Sequence, residues 1–233
     1  MVPAYNEEEN ILSVVDELRR AVPQYDFIVV NDGSLDATSR LCREHGIPMI
    51  DLATNLGLTC AVQAGARYAL QKGYHAMIQI DADLQHDPRY IPGMMSILQQ
   101  EALDVVIASR FLHEPKDFSP RMIGNRLISL AIRLTTGKRI TDPTSGMRIY
   151  GERLLPWMAM DLNSSPEPDS VAYLLKQGYR VRECQARMRE RIAGESYLNA
   201  WNSMKYMGKI CWNILVIMWF RGRSRYLCRQ HSD

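Results

Sequence analysis

Cysteine is scarce and scattered in this chain. Cys42, Cys60, Cys184, Cys211 and Cys228 are odd in number, form no close-spaced pair and follow no secretory signal. That pattern excludes a disulfide scaffold or a cysteine-rich zinc module and predicts reduced thiols in the cytoplasm. Excess charge is lacking too: the formal net charge is only +2, which leaves no bulk basis for binding nucleic acid. Basic residues gather only locally, at Arg221, Arg223, Arg225 and Arg229. The densest apolar run, near the end, is broken by Lys209 and Asn213 and falls short of the roughly 20 residues that a membrane-spanning helix needs. No internal repeat or low-complexity linker is visible. What is there is 233 residues, 46% hydrophobic and 23% charged, enough for one sizeable α/β core.

Along the chain, short apolar runs alternate with helical patterns. Met1-Val2-Pro3 leaves only a stub of a first strand, so either the sheet begins with a stub or the natural start lies upstream. Asn6-Glu7-Glu8-Glu9 predicts a helix start, with Asn6 as cap and Ile11, Val14, Val15 and Leu18 on the apolar face. Phe27 to Val30 reads as a buried strand, followed by a helix from about Leu35 to Gly46. Met49 to Leu52 is a third strand, followed by a helix from Cys60 to Lys72 that Gly73 ends. The runs Ala76 to Ile80 and Val105 to Ala108 are further strands, with a helix from near Pro88 between them. Arg121 to Thr136 is a helix stopped by Gly137, and the polar loop from Thr141 to Gly146 precedes a strand from Met147 to Tyr150. The alternation predicts an α/β fold with a mostly parallel sheet flanked by helices and right-handed crossovers.

The chemistry concentrates where strands end. Asp81-Ala82-Asp83-Leu84-Gln85 follows an apolar strand directly, placing two carboxylates and an amide oxygen at its carboxyl end. Hard cations such as Mg2+ and Mn2+ accept one or two protein carboxylates and complete their shell with water and substrate phosphates. In open α/β sheets that edge is also where ligands bind. The turn therefore points to an enzyme handling a nucleotide diphosphate, although an Asp-x-Asp alone occurs often and a strand-end Asp is often a cap or turn former.

Order makes the motifs specific. Pro3-Ala4-Tyr5-Asn6-Glu7, Val30-Asn31-Asp32-Gly33-Ser34 with Asp36, Asn55-Leu56-Gly57 and Asp81-Ala82-Asp83-Leu84-Gln85-His86 together resemble the nucleotide-sugar half of glycosyltransferase family 2, of the GT-A (Rossmann-like) fold. Ala108-Ser109-Arg110-Phe111 and Asp142-Pro143-Thr144-Ser145-Gly146-Met147-Arg148 resemble the branch holding dolichyl-phosphate mannosyltransferase and bacterial polyprenyl-phosphate glycosyltransferases. The resemblance covers Pro3 to about Ser196. It implies that Asp32 accepts a hydrogen bond from the nucleobase, with Pro3, Ala4, Tyr5 and Glu7 lining the base and ribose pocket. Asp81, Asp83 and Gln85 would be the Mg2+ or Mn2+ site, Asp81 also facing the nucleotide. Arg110 and Arg121 would hold an acceptor phosphate, with Asn125 one turn beyond Arg121 and Arg126 a weaker candidate. Ser145 and Asp142 would lie within reach of donor sugar or acceptor, Asp142 serving as general base if the acceptor is a hydroxyl. Each arginine has a solvated face or a structural ion pair as its other reading, and Asp142 a cap before Pro143. Glu167 or Asp169, in Pro166-Glu167-Pro168-Asp169, would face the sugar. Arg191, in the segment from Met188 to Ser196, would add positive charge over the diphosphate. Tyr197 stands where the mannosyltransferase branch commonly has lysine, which puts mannose as the donor sugar in question.

The expected activity is an inverting, metal-dependent transfer of a sugar from a UDP- or GDP-sugar to a polyprenyl phosphate. Three alternatives stay open: transfer to a saccharide hydroxyl in surface polysaccharide assembly, an inactive partner subunit that binds nucleotide sugar, and a phosphatase or phosphotransferase using the first Asp of Asp-x-Asp. The last is disfavoured because two βα units precede the motif. The expected division is a catalytic domain over residues 1–196 and an amphipathic, basic helical tail over 197–233. That tail would lie on the inner face of the cell membrane, bind anionic lipids and make the protein peripheral there; a core helix or a homo-oligomer contact are the other readings.

Overall fold

The computed structural model describes residues 1–116, 119–161, 164–189 and 200–227. Three parallel strands, β1 (Val2–Ala4), β2 (Val29–Asn31) and β3 (Met49–Asp51), alternate with the helices α1 (Ile11–Ala21), α2 (Thr38–Glu44) and α3 (Leu58–Gln71). Then come β4 (Ala76–Gln79), α4 (Ile91–Gln100), β5 (Val105–Ser109), α5 (Pro120–Thr136), β6 (Arg148–Gly151), α6 (Leu155–Met160), α7 (Pro168–Lys176) and β7 (Val181–Gln185). The second group pairs in the order β4, β6, β5, β7. The Met1 amine donates to Ile78 O at 2.7 Å and Ile80 N donates to Met1 O at 3.2 Å, so main-chain bonds join β1 to β4 and make the two groups one surface.

The expected βα alternation is present. One strand departs from it: β6 runs antiparallel to both β4 and β5, because the chain returns through the Thr141 to Gly146 loop from the opposite direction. A second departure is at the start of α1. Asn6 does not cap it, since the helix begins at Ile11 and Asn6 sits in the left-handed region at φ 55°. Residues 6 to 8 instead spend their amides on the loop after β2, where Ser34, Thr38 and Asp36 accept at 2.9 to 3.0 Å.

Side chains alternate across the strands, as a period of two requires. Val29, Val106, Ala108 and Ile149 face a core built with α1 and α4. Val30, Val105, Ile107 and Tyr150 face a second core with α3, α5, α6 and α7, centred on the fully buried Trp157 and Tyr173. The tail joins this second core: α8 (Ala200–Trp212) and the π-helical turn after it bury Met207, Ile210 and Ile214 there. Its outer side exposes Trp212, Leu215, Trp219 and Phe220. No helix among the described residues is long and apolar enough to cross a membrane.

Candidate active site

The loops after β1 and β2 form the first wall. Asp32 is buried, its backbone N–H donates to Ala4 O at 2.8 Å, and its two carboxylate oxygens accept from Leu56 N and Gly57 N at 2.8 and 2.9 Å. In the structure Asp32 therefore fastens the Asn55-Leu56-Gly57 turn. Gly33, at φ +64°, lets the loop pass so close to Thr54 that a Cβ would meet its carbonyl carbon at 2.2 Å. Ala4 is buried, Pro3, Tyr5 and Glu7 are half-buried on the same rim, and Glu7 Oε2 accepts from Asn10 Nδ2 at 2.9 Å. Asn31 binds Asp51 at 2.6 Å on the neighbouring strand, a link that spacing alone could not reveal.

The second wall is the turn after β4. Leu84 takes φ 61°, an uncommon conformation for a non-glycine residue, and it sets Asp83 and Gln85 on either side of a tight reversal. Asp83 is half-buried and its Oδ1 accepts from Gln85 N at 3.1 Å. Asp81 approaches His86 Nε2 at 3.4 Å and lies over Gly146, where a Cβ would meet Asp81 Oδ2 at 1.8 Å. Burial alone would raise the Asp81 pKa, but His86, Gln79 and Arg148 outweigh it and hold the carboxyl below its ordinary value. Gln85 is engaged with Arg189: its Nε2 donates to Arg189 O at 3.4 Å and its carbonyl accepts Arg189 N at 2.9 Å. Arg189 in turn binds Glu17 of α1 and approaches Asp87 at 3.4 Å. Arg191 lies outside the described residues.

Among the described residues, no three His, Cys, Asp or Glu side chains converge into a closed cage. Two carboxylates on one turn, Asp81 and Asp83, are the incomplete oxygen set that suits Mg2+ or Mn2+ shared with phosphate oxygens. The donor chemistry fits the cation, and Gln85 would add its Oε1, since its contact with Arg189 O uses the amide nitrogen.

The third wall differs most from expectation. Asp142 has no exposed surface. It takes a two-pronged ion pair from Arg110, with Nε at 2.7 Å and Nη2 at 2.8 Å, and also accepts Asn125 Nδ2 at 3.1 Å and Thr144 Oγ1 at 3.2 Å. Burial favours the neutral acid, yet the Arg110 hydrogen bonds and charge, with Asn125, hold the pKa of Asp142 below the ordinary carboxylate value. Asp142 was the general base expected for a hydroxyl acceptor; its oxygens are already held by Arg110, Asn125 and Thr144, an arrangement that weighs against that role. Arg110, expected at the acceptor phosphate, spends two of its nitrogens on Asp142, and one of these also reaches Thr144 Oγ1. Arg121 lies in the first turn of α5.

Two participants, Glu183 and Lys116, carried no sequence signal, and a third, Arg148, stood only at the end of the Asp142 motif with no role given. Glu183 on β7 is buried and accepts Thr141 N, Thr141 Oγ1 and Asp142 N at 2.6 to 2.8 Å, so it positions the whole loop from the far strand. Lys116 bonds Asn125 Oδ1 and stands 5.5 Å from the Phe111 ring; burial pushes its pKa down. Arg148, almost wholly buried, grips Pro143 O and Ser145 O at 2.7 and 2.8 Å. An isolated acid in a strand or a lysine in a polar loop looks like surface charge until the partner elements meet. Ser145, expected near the substrates, is buried and its Oγ has no hydrogen-bond partner among the described residues. Glu167 and Asp169 face the tail, through Tyr206 and Asn213, and burial raises the Glu167 pKa.

With this geometry, residues 1–155 match the sequence profile of Glycosyl transferase family 2. The chain belongs to that family. It is 31% identical over 212 residues to the undecaprenyl-phosphate mannosyltransferase of Micrococcus luteus, covering 85% of this chain and 86% of that protein. It is 27% identical over 228 residues to the polyprenol monophosphomannose synthase of Mycolicibacterium smegmatis, covering 92% and 86%. The fold is similar to glucosyl-3-phosphoglycerate synthase of Mycobacterium tuberculosis, crystallised with Mn2+, UDP-glucose and glycerol 3-phosphate, at a TM-score of 0.65 and 20% identity over 96% of this chain and 80% of that one. This family 2 glycosyltransferase thus has the GT-A fold, and its three walls surround the carboxyl ends of the strands.

Proposed function

We propose that this glycosyltransferase moves a sugar, with inversion, from a UDP- or GDP-sugar to a polyprenyl phosphate at the inner membrane surface. The observation that carries the reading is the sealing of Asp142 by Arg110, Asn125 and Thr144. The acceptor side lacks a ready base in that carboxylate, and Lys116, beside Asn125, and Arg126, beside Lys116, bring positive side chains to it. A phosphate is already ionised near neutral pH and needs positioning more than deprotonation, so such a wall suits it. The undecaprenyl phosphate in one relative's name and the polyprenol monophosphomannose in the other's support this reading.

The loops after β1 and β2 would hold the nucleoside, with Asp32 keeping the Leu56 turn in place beneath it. Asp83 and Asp81 would hold Mg2+ or Mn2+, which when bound neutralises the departing nucleoside diphosphate. His86 and Gly146 orient Asp81 for that role. Glu183, Arg148 and Asn125 keep the Asp142 loop and Arg110 rigid against the acceptor, so a single in-line displacement at the anomeric carbon needs no enzyme nucleophile. The arginine-rich end and the exposed Trp219 and Phe220 would rest on anionic lipid.

Incubation with radiolabelled UDP- and GDP-sugars, Mn2+ and undecaprenyl or dolichyl phosphate tests the reading. Label is expected in the chloroform phase; its absence with every donor overturns the lipid acceptor. Transfer to a saccharide hydroxyl is the second reading, favoured by the raised pKa of Glu167, which moves that carboxyl toward a base's range. Under it, Glu167→Gln abolishes transfer to saccharide.

A further inference from the structure

Helix α5 presents two unlike faces. On one, Asn125 and Ser129 meet Lys116 and the Asp142 loop, and Arg126 donates to Lys116 O at 2.8 Å. On another, Ile123, Leu127, Leu130 and Leu134 recur at helical spacing, and each is 48 to 70% exposed. A continuous exposed line of large apolar side chains marks a surface that something else covers. With Gly208 and Leu215 of the tail segment, these residues line a groove of about 460 Å³. A Cβ added at Gly208 would meet nothing within 4 Å, so the missing side chain leaves that wall open.

We infer that this groove holds the first isoprene units of the acceptor, the chain entering beside Arg126 and running along α5 toward Leu134. The inference rests on the polyprenyl phosphate reading and adds where the hydrocarbon lies and how much of it is read. Complementarity selects the occupant: the first half of α5 carries Arg126 and meets Lys116, while the groove's own lining bears no charge, matching a single-chain anionic amphiphile. Length agrees. Ile123 and Leu134 are eleven residues apart, about 16 Å of helix, close to the extended length of about three or four isoprene units and far short of a whole long-chain lipid. The volume lies within the range of small-molecule sites.

Phosphates carrying from one to eleven isoprene units test this. KM is expected to fall by about tenfold or more up to roughly four units and then level, because only buried carbons add affinity. Gly208→Leu, which fills the groove from α8, is expected to raise KM for long acceptors by about tenfold, while the thermal shift given by UDP or GDP with Mn2+ stays as in the unaltered protein. Leu130→Asp, at a half-exposed position, gives a second test with the same expected direction. Transfer that proceeds with KM indifferent both to chain length and to these substitutions overturns the groove while leaving the acceptor reading intact. Failure to transfer to any polyprenyl phosphate overturns the acceptor reading and the groove with it. A dimer that Leu130→Asp splits in sedimentation, with kinetics indifferent to chain length, assigns this face to a second copy and also overturns the proposal.

Discussion

Asp83 is half-buried at a loop turn and packs into neither core, so Asp83→Ala removes the oxygen proposed to hold the cation without opening a cavity. Turnover is expected to fall by about 100-fold or more while stability changes by no more than about 1 kcal/mol, measured by steady-state kinetics and urea melts. Asp142→Asn separates the two effects in the opposite way. It leaves Arg110 facing a neutral amide, so a loss of about 3 kcal/mol is expected in the same melts. Because the folded-state pKa of Asp142 is lowered, its carboxylate stabilises the fold above the unfolded value of about 4 and that contribution disappears as pH falls through the folded value. The variant should therefore show a flatter loss of stability below about pH 4 than the unaltered protein. At Gly146 a Cβ collides with Asp81, and Gly146→Ala should weaken Mn2+ affinity, read by titration calorimetry in the presence of UDP.

Among the elements, β2, β4 and β5 were legible because their apolar runs end in chemistry-bearing turns. The antiparallel sense of β6 was not, since a run such as Arg148-Ile149-Tyr150 reads alike in either direction. The Asn6 cap misled because a capping pattern is local, whereas Ser34, Asp36 and Thr38, about 28 residues on, supply the actual partners. Charge pairing was least legible. The Arg110 and Asp142 residues were both visible as candidates, but their meeting as an ion pair across 32 residues was not. The tail likewise has an inner face that pattern alone left undecided: Ile214 is fully buried against the second core. Ile214→Ala should cost about 3 kcal/mol in urea melts, whereas a tail that merely hangs from the catalytic domain would tolerate it.

At the scale of the whole molecule, the outward Trp212, Trp219 and Phe220 lie on the same segment as the exposed Arg223 and Arg225. Vesicles with anionic headgroups should bind the protein more tightly than zwitterionic ones, and binding should weaken as salt shortens the Debye length. Replacing Arg223 and Arg225 by serine should cost about 1 kcal/mol each in vesicle sedimentation. Under the proposed function, fold, cation turn and outward tail would serve one reaction, in which a polyprenyl phosphate displaces a nucleoside diphosphate without help from a protein base. The comparison of polyprenyl phosphate with the corresponding polyprenol, each offered with a radiolabelled nucleotide sugar and Mn2+, tests this most directly. The account predicts label on the phosphate alone, and none once EDTA removes the cation; label on the polyprenol, or transfer untouched by EDTA, would contradict it.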